Sequence, residues 1–185
     1  VILIKKTGVI LAGGKSSRMG KNKALLKFKE SLFIEIAMNA FENFEEIIII
    51  ANDKDPYLKY NIKVYSDIIK DIGPIGGIYT ALNYSKYDIV VVACDMPYIN
   101  SEVLNAIGSK MSKESIISIT DKQIQPLCSG YKKNILNIVK NCIDVGEYKL
   151  LNFIDKIDKE FLYFDNKKKC FDNINTVEDY NQLNL

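Results

Sequence analysis

Short apolar runs alternate with longer stretches whose apolar residues recur at helical spacing, and the alternation persists along the chain. Strand-like runs fall near 7–11, 46–51, 62–65, 88–93, 115–119 and 161–164, while 31–43, 76–84, 101–111, 134–144 and 176–183 have the pattern of helices. Val9, Ile10 and Leu11 form a run rich in β-branched residues, of the kind found in strands buried on both faces. Strands alternating with helices predict an α/β fold around a mainly parallel sheet. Internal repeats, low-complexity tracts and a proline-rich linker are all missing, so residues 1–185 read as one domain.

Ligands of an open parallel sheet collect at the carboxyl ends of its strands, which directs attention to the residues after each apolar run. Behind the first run, Ala12, Gly13 and Gly14 remove side-chain bulk, so backbone N–H groups can approach an anion. Lys15, Arg18, Lys21 and Lys23 follow, a loop of cations suited to a triphosphate. Two familiar phosphate motifs fail here. Gly14 and Gly20 enclose five residues where a Walker A loop needs four, Asn22 stands where its hydroxyl should be, and the G-x-G-x-x-G spacing is absent. A solvated basic loop is the plainer reading of the same residues. After the second run come Asn52 and Asp53, side chains able to read a base or ribose and equally able to be ordinary turn residues. The third is followed by Asp67 and then Gly73, Pro74, Gly76 and Gly77, a tight entry into a helix. The fourth, DIVVVACDMPYI, ends on Asp95, whose exit angle Pro97 constrains; a carboxylate there suits Mg²⁺ or a turn cap.

Composition narrows the function classes. Apolar residues make up 48% of the chain and charged ones 26%, ordinary globular material. Twenty-five basic against 23 acidic residues leave a net charge of +2, too balanced for gripping long nucleic acid, so the positive charge of the first loop is local. IIIIA at 47–51 and IVVVA at 89–93 are too short to span a bilayer, and VILIKK is too short for a signal core; a cytoplasmic protein with no membrane segment is expected. Cys94, Cys128, Cys142 and Cys170 form no C-x-x-C pair and histidine is absent, which argues against structural zinc and for reduced, buried thiols. Lys167, Lys168 and Lys169 read as a solvated turn.

LAGGKSSRMGKNKALL at 11–26 resembles the L-A-G-G-x-S-x-R-M-G-x-x-K loop of a nucleotidyltransferase family, most closely the molybdenum cofactor guanylyltransferases. GPIGG, CDMPYI, QPLCSGYKK and FDNINTVEDYNQL extend the likeness over nearly the whole chain. The resemblance implies a Rossmann-like, three-layer α/β/α fold of the nucleotide-diphospho-sugar transferase type. It implies transfer of GMP from GTP to the terminal phosphate of a molybdopterin-type cofactor, with release of pyrophosphate. A cytidylyltransferase on the same acceptor, or on another small phosphate-bearing one, and a nucleotide-binding regulator without activity are the alternatives.

The same resemblance assigns roles. Lys23, Arg18 and Asp95 become catalytic, and the GTP contacts comprise Leu11, Ala12, Gly13, Gly14, Lys15 and Lys23 on the first loop, with Asn52, Asp67, Gly76 and Asp95 beyond it. Asp95 and Asn175 are implied to hold Mg²⁺, and QPLCSGYKK to line the pterin side. Thr176 is placed to cap the last helix. Cofactor-insertion proteins and recipient molybdoenzymes are the implied protein partners. No general base is needed, because a phosphate monoester, with a second pKa of about 6, is largely ionised near pH 7. Lys23, on a loop, is expected to be exposed and to contribute little to the fold. Three positions depart from the family: Asn22 stands where Asp is common, Val177 replaces a proline, and Lys149 is the nearest cation where an arginine often follows VG.

Overall fold

The computed structural model describes residues 3–13 and 22–183. Its strands are β1 (Ile4–Leu11), β2 (Lys27–Phe28), β3 (Ser31–Leu32), β4 (Phe44–Ile50), β5 (Lys63–Tyr65), β6 (Ile89–Ala93), β7 (Ser115–Thr120), β8 (Gln123–Ile124), β9 (Cys128–Tyr131) and β10 (Lys159–Tyr163). The helices are α1 (Phe33–Ala40), α2 (Pro74–Tyr84), α3 (Ser101–Lys110), α4 (Leu136–Asp144), α5 (Leu150–Ile154) and α6 (Val177–Leu183). The main sheet runs β10-β7-β9-β6-β1-β4-β5, with β8 attached to β7. Its pairs are parallel except at β9, which runs antiparallel to both β6 and β7, and at the short β7–β8 pair.

Alternation along β1 builds the layers, because successive side chains leave a strand on opposite faces. Ile10 enters a core with Ile34, Ala37 and Ala40 of α1 and Val103, Leu104 and Ile107 of α3. Val9 and Leu11 enter a second core with Ile75, Ile78 and Leu82 of α2, Val139 of α4 and Phe153 of α5. The result is the expected α/β/α sandwich. Gly8 has a packing reason of its own: a Cβ there would lie 2.5 Å from the ring of Phe41, which is fully buried.

Two expectations change in detail. The pattern over 31–43 predicts a single helix, but Ser31–Leu32 pairs with Lys27–Phe28 as a short hairpin around Lys29, whose φ is +54°. The helix then starts at Phe33, where the Glu35 carboxylate accepts the Leu32 N–H at 2.8 Å. The 161–164 strand shifts to Lys159–Tyr163 and pairs with β7.

Register matters most for the site. Leu11 is paired with Ile50 and with Ala93, and Ile50 with Tyr65, so β1, β4, β5 and β6 end on one line. At the opposite end, before β6, Asp88 accepts from Lys6 Nζ at 3.2 Å, Lys132 Nζ at 2.7 Å and the Lys133 N–H at 2.9 Å.

Candidate active site

A cleft of about 840 Å³ opens over that line of strand ends. Pairing continues one residue past the strands, with Ala12 N–H donating to Ile50 O, Ala51 N–H to Tyr65 O and Cys94 N–H to Leu11 O at 2.9–3.1 Å. Asn52, Asp67 and Asp95 therefore leave the sheet at fixed points and meet on the cleft wall, with Leu11, Ala12, Gly13, Lys23 and Asn175. Residues separated by up to about 160 positions converge because the topology brings these strand ends together. Gly14, Lys15, Arg18 and Lys21 lie outside the described residues.

One half of the cleft pairs an amide with a carboxylate. Asn52 Nδ2 donates to Asp67 Oδ2 and the Asp67 N–H donates to Asn52 Oδ1, both at 3.1 Å. Asp67 Oδ1 is buried and has no hydrogen-bond partner among the described residues. Burial raises the Asp67 carboxyl above its usual range, against the Asn52 hydrogen bond and the charge of Lys70. Thr80 Oγ1 accepts the Ile68 N–H at 2.9 Å and donates to Gly76 O at 2.8 Å, tying the Asp67 segment to α2. Gly73 enters α2 at φ +76°, before Pro74 at the first turn. A Cβ at Gly77 would touch Leu11 Cδ2 at 3.0 Å and approach Asp67 Oδ1 at 3.8 Å, so this glycine keeps the floor open. Gly76 takes a different place from the one expected. A Cβ there would meet Ile69 O at 2.9 Å; it packs under the preceding loop, while Gly73 and Gly77 line the cleft.

The other half holds charge. Lys23 begins a 3₁₀ turn over Lys23–Leu25, and its Nζ stands 3.4 Å from Asp95 Oδ2 and 3.5 Å from Asn175 Oδ1. Contrary to expectation, its side chain is only 19% exposed, as is that of Asp95, because the ammonium has moved in to meet the carboxylate. Asp95 Oδ1 remains buried without a partner among the described residues. Burial raises the Asp95 carboxyl, with the Lys23 charge and hydrogen bond pulling the other way. The Ile174 N–H donates to Asp95 O at 2.9 Å, which stitches the Asn173–Asn175 segment to the end of β6. Thr176 caps α6 as expected, accepting the Asp179 N–H at 3.1 Å, and the Asp179 carboxylate accepts the N–H groups of Asn175 and Thr176.

These oxygens fit Mg²⁺. The ion takes hard oxygen donors and is commonly held by one or two carboxylates together with substrate phosphates and water. Asp95 Oδ1 and Asn175 Oδ1 are such donors, and no cage of three or more acidic, cysteine or histidine groups exists among the described residues to hold an ion alone. Cys94, beside Asp95, is half-buried, and desolvation of its thiol pushes it up to about 12, which keeps it protonated.

Tyr57 and Asp71 line the wall beside Asn22 and escape a reading of the sequence. Tyr57 belongs to a 3₁₀ segment, Asp55–Tyr60, whose sequence carries no catalytic motif. Of the QPLCSGYKK segment, Leu127 reaches the cleft, whereas Gln125 Nε2 turns back to Thr120 Oγ1 at 2.8 Å. Lys149 is exposed at the start of α5 and is not among the lining residues.

A mainly parallel sheet whose strand ends carry an amide–carboxylate pair and, across the cleft, a lysine–aspartate pair has the frame of a nucleotidyltransferase. Residues 8–159 match the MobA-like NTP transferase domain, and the chain belongs to that family. It is 45% identical to a probable molybdenum cofactor guanylyltransferase of Clostridium perfringens, over 98% of this chain and 97% of that protein. A probable molybdenum cofactor guanylyltransferase of Flavobacterium johnsoniae is 35% identical over 97% and 96% of the two chains. Among solved structures, molybdopterin-guanine dinucleotide biosynthesis protein A from Archaeoglobus fulgidus superposes with a TM-score of 0.80 over 96% of each chain, at 25% identity. Among the described residues no helix is long and apolar enough to cross a membrane.

Proposed function

We propose that this nucleotidyltransferase moves GMP from GTP to the terminal phosphate of a molybdopterin-type cofactor. The observation that carries the reading is the division of one cleft into an Asn52–Asp67 half and a Lys23–Asp95–Asn175 half. Guanine presents adjacent N–H donors on its Watson–Crick edge, and the unpartnered Asp67 Oδ1 is an acceptor that rewards them. The backbone around Ala12 and Gly13 lies between the two halves, where the sugar and α-phosphate would pass.

In the reaction, an oxygen of the acceptor's terminal phosphate forms a bond to the α-phosphorus of GTP. The bond from that phosphorus to the β-bridging oxygen breaks, and pyrophosphate leaves with the electron pair. The attacking oxygen is already ionised near neutral pH, so the chain must position and neutralise rather than abstract a proton. Lys23 Nζ, free to turn from Asp95 toward the phosphates, supplies charge where it develops. Asp95 and Asn175 are the residues that would hold Mg²⁺, which when bound draws negative charge from the phosphates. Arg18 and Lys15 are assigned to the same phosphates on the strength of the sequence. Proteins that insert the finished cofactor, and the enzymes that receive it, are the protein partners the family resemblance suggests, and the cytoplasm is where GTP is at hand.

Pyrophosphate release with GTP, CTP and ATP, each with a molybdopterin-type acceptor and Mg²⁺, tests the reading. GTP-selective release is expected. Preference for CTP would move the assignment to a cytidylyltransferase, and nucleotide binding without release would make the chain a regulator.

A further inference from the structure

We propose that Asn22 and the buried Tyr57 are a positioning pair that sets Lys23 in the cleft. The inference deepens the proposed reaction and rests on the reading of Lys23 as its phosphate-contacting cation.

Lys23 is not clamped by its partners: 3.4 Å to Asp95 Oδ2 and 3.5 Å to Asn175 Oδ1 are long contacts for an ammonium, leaving the side chain free to turn toward a ligand. Its placement must come from the backbone of the Lys23–Leu25 turn. Asn22 holds that turn from the front, its Oδ1 accepting the Ala24 N–H at 3.1 Å, and Ala24 is fully buried. A backbone N–H can only donate, so this bond fixes which end of the Asn22 amide is oxygen. The NH₂ end is thereby turned to Tyr57 Oη, to which it donates at 2.9 Å.

Tyr57 supplies the rigid side of the pair. Its side chain is fully buried within the core that also holds Ala24, Ile34 and Ile49, and its N–H donates to Lys54 O at 3.0 Å. The segment Asp55–Tyr60 follows β4 and the Asn52 corner, so the bond joins the lysine turn to the nucleotide-reading wall. A displacement of about 1 Å in a catalytic group can cost about 100-fold in rate, which is the scale on which such a tie matters.

Four variants and a cycle with Lys23 test the proposal, each first checked for cooperative thermal unfolding. Asn22→Ala loses both bonds and should lower kcat by about 10–100-fold, with KM for GTP changed by less than about threefold. Tyr57→Phe keeps the turn cap and loses the anchor, and should lower kcat by about 3–10-fold. Asn22→Asp can accept from both the Ala24 N–H and the tyrosine hydroxyl, which reverses from acceptor to donor, and should recover most of the rate lost in Asn22→Ala. Combining Asn22→Asp with Tyr57→Phe should cut that recovery back to the rate of Tyr57→Phe alone, because only the cap remains. In a Lys23→Met background, Asn22→Ala should lower single-turnover rate no further, because the pair acts through the lysine.

Equal losses from Asn22→Ala with and without Lys23 would overturn the proposal, as would an Asn22→Asp rate no better than that of Asn22→Ala. Wild-type kcat in both Asn22→Ala and Tyr57→Phe would do the same. An inactive wild type, or a fully active Lys23→Met, would instead overturn the reading of the reaction, and the pair with it.

Discussion

Replacing Lys23 by Met should do two opposite things, and the pair of effects follows from one distance. The ammonium stands 3.4 Å from Asp95 Oδ2, both side chains mostly buried. Two unit charges at that separation attract by about 5 kcal/mol at an effective dielectric of about 20. Part of this offsets the cost of taking both charges out of water, a cost visible in the upward pull of burial on the Asp95 carboxyl. Keeping about 1–2 kcal/mol as the net hold of the lysine on the carboxylate, a metal ion that needs Asp95 is disfavoured by a factor of about 5–30 in the nucleotide-free protein. Lys23→Met should therefore bind Mn²⁺, used as a probe for Mg²⁺, about 5–30-fold more tightly without nucleotide. Turnover should fall by about 100–1,000-fold, the usual cost of losing one donor to developing charge. The assays are an electron paramagnetic resonance titration of free Mn²⁺ and pyrophosphate release with GTP. Unchanged or weaker Mn²⁺ binding by a folded Lys23→Met protein would refute the reasoning, since the ammonium would then not compete for Asp95.

Other substitutions probe the frame. Asp67→Asn should raise the melting temperature near pH 7 and weaken GTP binding by at least about tenfold, because a buried, half-satisfied charge is removed along with the acceptor. The folded pKa of Asp67 is raised, so proton-linked stability is full below the unfolded value and lost as pH rises through the folded one; the gain from Asp67→Asn should vanish in acid. A melting series from pH 3 to pH 8 reads both, and a pH-independent gain would contradict it. Asp88→Asn has the opposite sign. Burial pulls that carboxyl upward, but Lys132, the Lys133 N–H and Lys6 outweigh it and hold it below its usual range. Its stabilisation is present above the unfolded pKa and lost as pH falls through the folded one, so the variant should lose about 1–3 kcal/mol at pH 7 and little at pH 2–3, by urea unfolding. Gly8→Ala should cost about 1–3 kcal/mol by the same assay, since its Cβ would sit 2.5 Å from Phe41 in a packed core; wild-type stability would mean the ring can shift.

What the sequence disclosed follows the range of the interactions. GVIL and IVVVA are strands because uninterrupted apolar residues have only a doubly covered position in which to be buried, and the cleft residues are those one or two places beyond. Asp67 and Asp95 were visible for that reason, without any geometry. The apolar pattern does not predict β9: CSGY is short and contains Gly and Ser, and it is a strand because β6 and β7 pair with it on either side. The start of α1 was hidden because Ser31–Leu32 continues the apolar pattern of the helix while its backbone pairs with Lys27–Phe28. Lys23 reads as exposed until Asp95, 72 residues away, is brought beside it. The Asn22–Tyr57 bond spans 35 residues between two segments of no regular pattern, so nothing local announces it. Gly76 and Gly77 differ by one step of a helix, about 100° of rotation, and that step decides which faces the cleft.

The position of β9 also governs the order in which the sheet can close during synthesis. β7 leaves the ribosome before either of its long neighbours, with only the two-residue β8 close behind to pair its far end. Apart from Ile119 and Thr120, which β8 pairs, its residues, all buried in the finished sheet, and the outer edge of β6 stay unpaired until residues 128–131 arrive to bridge them. A nascent chain stalled before Tyr131 would thus carry two open, apolar edges at once, a state prone to pairing with another chain. The corner of β1, β4, β5 and β6, whose strand ends lead into Asn52, Asp67 and Asp95, can form earlier, ahead of the half that β7 and β10 build.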